Sequence, residues 1–151
     1  MTGTMCGDVT EPAELVPGLV ERVNGRGPYA LVGSRCPDCG ATVFPSVVRC
    51  PYCQGQPLRQ GVGAAGSLYT YTVVRTRAPF GLPEPYAVGY VDLDGSGLRV
   101  FGLIDPAMAD ELTVGQRVEV GLMRLGVDGQ GRPCLRPVFR SEHPTASEVG
   151  R

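Results

Sequence analysis

The chain has 151 residues, 42% of them apolar, and its 14 Arg, absence of Lys and 15 acidic residues leave a formal charge of −1. That length suits one ordinary domain or two small ones with a modest core, and the apolar content excludes disorder throughout. Near-neutral charge excludes the bulk basicity of a general nucleic-acid binder, and no apolar run approaches the roughly 18 residues of a membrane helix. The first residues lack a charged stretch followed by a long apolar one, so a cytoplasmic protein is expected.

Residues 1–27 form a leader punctuated by Gly3, Gly7, Pro12, Pro17, Gly18, Gly25 and Gly27. At most a short helical turn fits, around Leu15 or from Leu19 to Val23, and the leader is expected to be weakly structured alone. Its Leu15, Val16, Leu19, Val20 and Val23 need burial, either on the chain's own domain or on a partner subunit. Cys6 is expected in a mobile tail.

Residues 28–62 carry the strongest chemical signal. Cys36-Pro-Asp-Cys39 and Cys50-Pro-Tyr-Cys53 are two Cys-x2-Cys pairs separated by ten residues, each with proline after its first cysteine. Two residues between paired cysteines fold the backbone into a knuckle, and two facing knuckles converge four sulfurs on one ion. Gly40 and Gly55 suit the positive φ needed just past each knuckle. Paired disulfides would not explain two equal spacings with proline in the same place. Four thiolates suit structural Zn2+, and also a single iron or an iron-sulfur cluster. A closed sulfur set leaves no position for water or substrate, so a structural role is expected. Strands from Tyr29 to Arg35 and Thr42 to Val48 flank the first knuckle in the hairpin order of a zinc ribbon. A module of about thirty residues draws much of its folding free energy from the metal.

Gly61 to Gly66 separates this unit from residues 63–141. Ser67 to Arg77 and Tyr86 to Leu93 are rich in β-branched and aromatic residues, and Asp94-Gly-Ser-Gly97 turns the second into a strand from Leu98 to Ile104. Asp105-Pro106 predicts a capped short helix reaching about Leu112. Val118, Val120 and Leu122 alternate with polar residues in a strand, and Asp128-Gly-Gln-Gly131 turns it into a last one from Pro133 to Arg140. Three strands, a short helix and two strands is the order of the five-stranded OB-fold barrel; another small antiparallel barrel or sandwich has the same strand count. The fold class is therefore mainly β, a zinc ribbon followed by a barrel, with residues 142–151 as a flexible tail.

Catalytic chemistry finds little material. Cys134 lies in an apolar strand and reads as a small buried thiol, while the lone His143 sits in the polar tail. Asp92 and Asp94 flank a turn and read as turn-forming or solvated carboxylates. For contact with partner or ligand, the loop from Ala78 to Pro85 offers Phe80 and Leu82, which either dock on a partner or fold back to plug the barrel end. Arg75 and Arg77, two apart on a strand, either meet phosphates or face solvent.

These features resemble a family of acyl-CoA-associated zinc-ribbon/OB-fold proteins, domain of unknown function 35. The matching stretches are Gly33-Ser-Arg-Cys36-Pro-Asp-Cys39-Gly with Phe44-Pro45, then Gly66-Ser-Leu-Tyr-Thr-Tyr-Thr-Val-Val, Pro85-Tyr-Ala-Val-Gly-Tyr-Val-Asp-Leu and Leu112-Thr-Val-Gly-Gln-Arg-Val-Glu-Val. The resemblance covers nearly the whole chain and places the rubredoxin-like metal cysteines at Cys36, Cys39, Cys50 and Cys53. The family's tryptophan-containing N-terminal helix has no counterpart in a chain without Trp. The resemblance implies a non-catalytic accessory subunit of a thiolase-like or hydratase-like enzyme, supporting assembly and joint binding of acyl-CoA; a thiolase, an aldolase and a hydratase are all open as the partner, a thiolase-like one foremost.

Two other functions fit the residue patterns. Single-stranded nucleic-acid binding is served by zinc ribbons and OB-folds alike, but residues 66–140 hold eight Arg against eight acidic residues, without the positive excess such a groove needs. An iron-thiolate electron carrier would use similar knuckles, although the ten-residue gap is short for one.

Overall fold

The computed structural model describes residues 12–142 and contains only strands, turns and three isolated 3-10 turns. Ten strands run in chain order: β1 (Ala13–Glu14), β2 (Val20–Arg22), β3 (Tyr29–Arg35), β4 (Thr42–Val43), β5 (Leu58–Gly63), β6 (Ala65–Val74), β7 (Tyr86–Leu93), β8 (Arg99–Ile104), β9 (Arg117–Val127) and β10 (Pro133–Ser141). Cys6, His143 and the tail beyond Glu142 lie outside the described residues.

Strands β6 to β10 close into a five-stranded barrel of OB-fold topology. Antiparallel ladders join β6 to β7, β7 to β8, β6 to β9 and β9 to β10, and a parallel contact of Phe139 with Ile104 joins β10 to β8. The period-2 pleat sends Leu68, Ala87, Val91, Val100, Ile104, Val118 and Val120 into the core. Asp94-Gly-Ser-Gly97 makes the β7–β8 turn with positive φ at both glycines, and the register sets Val91 opposite Val100 inside.

The expected helix after Asp105 is shorter than its sequence signals suggest. Asp105 caps it through the Ala107 amide at 2.9 Å, with Pro106 at the first position, but only Pro106–Met108 form a 3-10 turn. Met108 enters the core there and Leu112 packs against it, so burial ends the turn where propensity would continue it. Strand β6 likewise stops at Val74 rather than Arg77, and β4 stops at Val43, just before Phe44-Pro45, because proline has no N–H for a ladder.

The sequence leaves room for at most a short helical turn around Leu15 or from Leu19 to Val23; the described leader residues instead hold two short strands, Ala13–Glu14 and Val20–Arg22, joined by bends and a turn. β1 runs parallel to β10, and β2 pairs antiparallel with β3. A 3-10 turn follows at Val23–Gly25. Val20, Leu31 and Val62 join the same apolar cluster as the barrel interior, so the upper part of the ribbon packs directly on the barrel. Strand β3 is the ribbon's spine: β2 and β4 share one edge and β5 takes the other.

Ile104 is fully buried where β8 meets β7 and β10. Ile104→Ala should therefore lower unfolding free energy by about 2–5 kcal/mol, read from urea denaturation midpoints at unchanged slope.

Candidate metal centre

Strand β3 delivers Cys36 and the chain from β4 delivers Cys50. The Cys36 amide donates to the Ala41 carbonyl at 2.8 Å and the Gly40 amide to the Cys36 carbonyl at 2.8 Å, closing the first knuckle. The second repeats this pattern, with the Cys50 amide on the Gly55 carbonyl and the Gln54 amide on the Cys50 carbonyl, both at 2.9 Å. Gly40 has φ +78° as expected, but in the second knuckle Gln54 (φ +69°), not Gly55, takes the left-handed position. Gly55 serves differently. A Cβ there would meet an Asp38 carboxylate oxygen at 2.5 Å and the Cys53 sulfur at 3.2 Å, so glycine lets the second knuckle close on the first.

All four sulfurs lie within 4.8 Å of one another, with Cys36 to Cys53 at 3.5 Å and Cys39 to Cys50 at 3.7 Å. A tetrahedron with metal–sulfur bonds of about 2.3 Å has edges of about 3.8 Å, close to the two shorter sulfur–sulfur distances, so the donor set suits Zn2+. Cys36 and Cys50 are buried while Cys39 and Cys53 face outward. From residue 36 to residue 57 those two cysteines are the only buried residues, so this half of the ribbon has almost no apolar core. Ser34 adds one anchor, its hydroxyl accepting from the Val47 amide at 3.0 Å.

Protonation of the sulfurs follows from their crowding. Backbone N–H groups of Cys53 and Tyr52 aim at Cys50 and bring its thiol down to about 7. At Cys53 the Gly55 amide pulls down, but the neighbouring Cys36 sulfur and desolvation push the thiol up to about 12. Four thiolates cannot share so small a space unless a cation balances them, and the ion must displace protons to bind. Cys36, Cys39, Cys50 and Cys53 would hold the metal.

Several carboxylates elsewhere are tied to arginines. Arg99 pairs with Asp92 at 2.6 Å, and Arg117 pairs with Asp94. The Arg99 and Arg117 hydrogen bonds hold these two carboxyls below their ordinary range. Arg59–Glu21, Arg132–Asp128 and Arg140–Glu119 make further pairs. Cys134 is buried and directs its thiol at the Leu125 carbonyl.

The structure separates the residues suggested for contacts. Phe80 has φ +53° and an exposed ring, 5.8 Å from the Arg136 guanidinium, whereas Leu82 folds back towards Gly126 of β9. Arg75 and Arg77 are exposed in the loop beyond β6 and so do not share a strand face. Sequence reasoning passed over an outward aromatic group, Tyr69, Tyr90 and Phe101, and the knuckle-tip Val48, 94% exposed. The alternation of β7 and β8 around a known turn would have revealed the Tyr90–Phe101 pair.

Comparison with known proteins places this geometry among relatives. A family model described as the ChsH2 rubredoxin-like zinc ribbon domain matches residues 24–59, and one described as the ChsH2 C-terminal OB-fold domain matches residues 60–122. A DUF35 domain-containing scaffold protein of Methanocaldococcus jannaschii is 33% identical over 105 residues, spanning 67% of this chain and 73% of the relative. A DUF35 domain-containing scaffold protein of Methanothermobacter thermautotrophicus is 31% identical over 105 residues, spanning 68% of this chain and 78% of the relative. Among solved structures, a chain of the Ltp2-ChsH2(DUF35) aldolase superposes with a TM-score of 0.59 at 25% identity, covering 74% of this chain and 84% of that one.

Purified protein should be colourless and contain about one zinc per chain, since ferric thiolate absorbs visible light and Zn2+ does not. Because protons must leave the sulfurs, zinc affinity of chelator-treated protein should rise from about pH 6 to about pH 8, measured by competition with a chelating dye. Cys50→Ser should abolish stoichiometric zinc and loosen residues 36–57, read by metal analysis and hydrogen exchange.

Proposed function

We propose that this chain, which belongs to the DUF35 family of zinc-ribbon and OB-fold proteins, acts as a non-catalytic scaffold subunit of an acyl-CoA-processing complex with a thiolase-like catalytic partner. The observation that carries this reading is the match, over 74% of the chain, to a DUF35 chain that stands with Ltp2 in an aldolase. The archaeal relatives are themselves described as scaffold proteins.

The chemistry of the chain supports the same assignment. Its four convergent thiols form a closed cage, Cys134 is buried, and the carboxylates at Asp92 and Asp94 are engaged by arginines. None of these groups forms a nucleophile–base pair, so bond-breaking chemistry belongs to the partner. The subunit contributes a shaped surface and part of the wall against which acyl-CoA is held, with Phe80, Arg75 and Arg77 exposed around the loop that follows β6. A reducing cytoplasmic setting completes the proposal, because it keeps the four thiols free to bind metal.

Co-expression with the thiolase-like enzyme encoded nearest to this chain tests it. The two should co-elute from a size-exclusion column, and the enzyme should lose most of its acyl-CoA turnover or its assembled state when expressed alone. An enzyme fully assembled and active by itself would refute the scaffold role.

A further inference from the structure

The outer face of the β6–β7–β8 sheet carries an aromatic cluster that the barrel does not use. Tyr90 and Phe101 are directly opposed across β7 and β8, in edge-to-face contact with ring centres 5.1 Å apart. Arg99 lies over the Tyr69 ring at 3.4 Å and is fixed there by both oxygens of Asp92. Phe101 continues this face into an apolar cleft of about 180 Å³ between ribbon and barrel, lined also by Leu19, Leu31, Phe44, Val120 and Pro137. Phe101 remains 57% exposed and Tyr69 48% exposed.

We propose that this cleft and its aromatic rim are the socket into which the catalytic partner protein inserts one bulky apolar side chain. The inference rests on the scaffold reading above and names its contact surface. Volume selects the occupant: an apolar cavity of about 150 Å³ accommodates a benzene ring, whereas drug-sized ligands take about 300 Å³ or more. One aromatic or branched aliphatic side chain fits; a nucleotide-bearing thioester does not. Charge selects it too. The cleft is lined by apolar side chains, and Arg99 on the adjoining face is neutralised in place by Asp92, so the surface is no anion trap. Phe101 joins the cleft to a sheet face bearing Tyr90, Tyr69 and Arg99, and Tyr, Phe and Arg are enriched at interface hot spots. Because ribbon and barrel both line the cleft, its width depends on how the metal-held module sits against the barrel.

The test compares wild type with Phe101→Glu and Tyr90→Ser for binding to the co-expressed thiolase-like enzyme, with Val114→Ser as an exposed apolar control. Zinc content and melting temperature establish that each variant is folded. Phe101→Glu should weaken association by about 30-fold or more, Tyr90→Ser by less, and Val114→Ser hardly at all. A photo-crosslinker at position 101 should capture that enzyme. Folded Phe101→Glu protein that binds as tightly as wild type overturns the socket and leaves the scaffold role standing; wild-type protein that does not bind overturns both. Two other occupants have their own readouts. A free chain that sediments as a dimer and becomes monomeric with Phe101→Glu would assign the face to a second copy. Salt-sensitive binding of a labelled oligonucleotide, lost in Tyr90→Ser, would assign it to single-stranded nucleic acid, and either result overturns the proposal.

Discussion

Four sulfur atoms closer than 4.8 Å to one another impose a constraint that apolar burial cannot supply in this part of the chain. Between residues 36 and 57 the buried side chains are Cys36 and Cys50 themselves. Ordering those residues costs of order 1–2 kcal/mol each in backbone entropy, and no comparable apolar area is available to offset it. A structural zinc site couples metal binding to folding, and its binding free energy would offset part of that cost. The knuckles would then depend on the ion, and everything they position would depend on the knuckles.

The other half of the ribbon obeys a different physics. Val20, Leu31 and Val62 belong to the cluster that fills the barrel, so β2, β3 and β5 are held by ordinary burial against Val100, Val120 and Phe139. Strand β3 crosses both regimes, packed at Leu31 and Val32 and leading directly into the candidate metal cysteine Cys36. This continuity lets a metal-stabilised module and a core-stabilised barrel present one shared surface. The leader takes part as well, since β1 extends the barrel sheet along β10 while β2 edges the ribbon.

What was legible in the sequence follows from how local each determinant is. The cysteine spacing, the Asp94–Gly97 turn and the alternation of Val118, Val120 and Leu122 in β9 are decided within a few residues, and each appears in the structure as read. Lengths were harder. The turn after Asp105 has a proper cap and first-position proline, yet its extent is decided by Met108 finding the core, a contact made across the fold. Short pieces such as Ala13–Glu14 carry no periodicity at all; they become strands because β10 offers an edge. In the second knuckle, glycine was expected to supply a left-handed φ, whereas Gln54 adopts it and Gly55 instead makes room for Asp38 and the Cys53 sulfur. A close approach between segments 17 residues apart has no signature in local sequence.

The surface chemistry has the same origin. Arginine is the sole basic side chain here apart from one histidine, and its planar fork suits paired and stacked sites better than a solvated point charge would. Arg99 shows why: two hydrogen bonds to Asp92 fix its plane, and that plane covers Tyr69. A lysine could neutralise Asp92 but has no planar group to stack on the Tyr69 ring. The outward face of β7 and β8 therefore combines low net charge with fixed aromatic geometry. Little conformational entropy remains to be lost when another surface covers it, the condition under which a modest area binds firmly. Such preorganisation comes here from cross-strand register on one side of the cleft and from β3, packed into the core at Leu31, on the other.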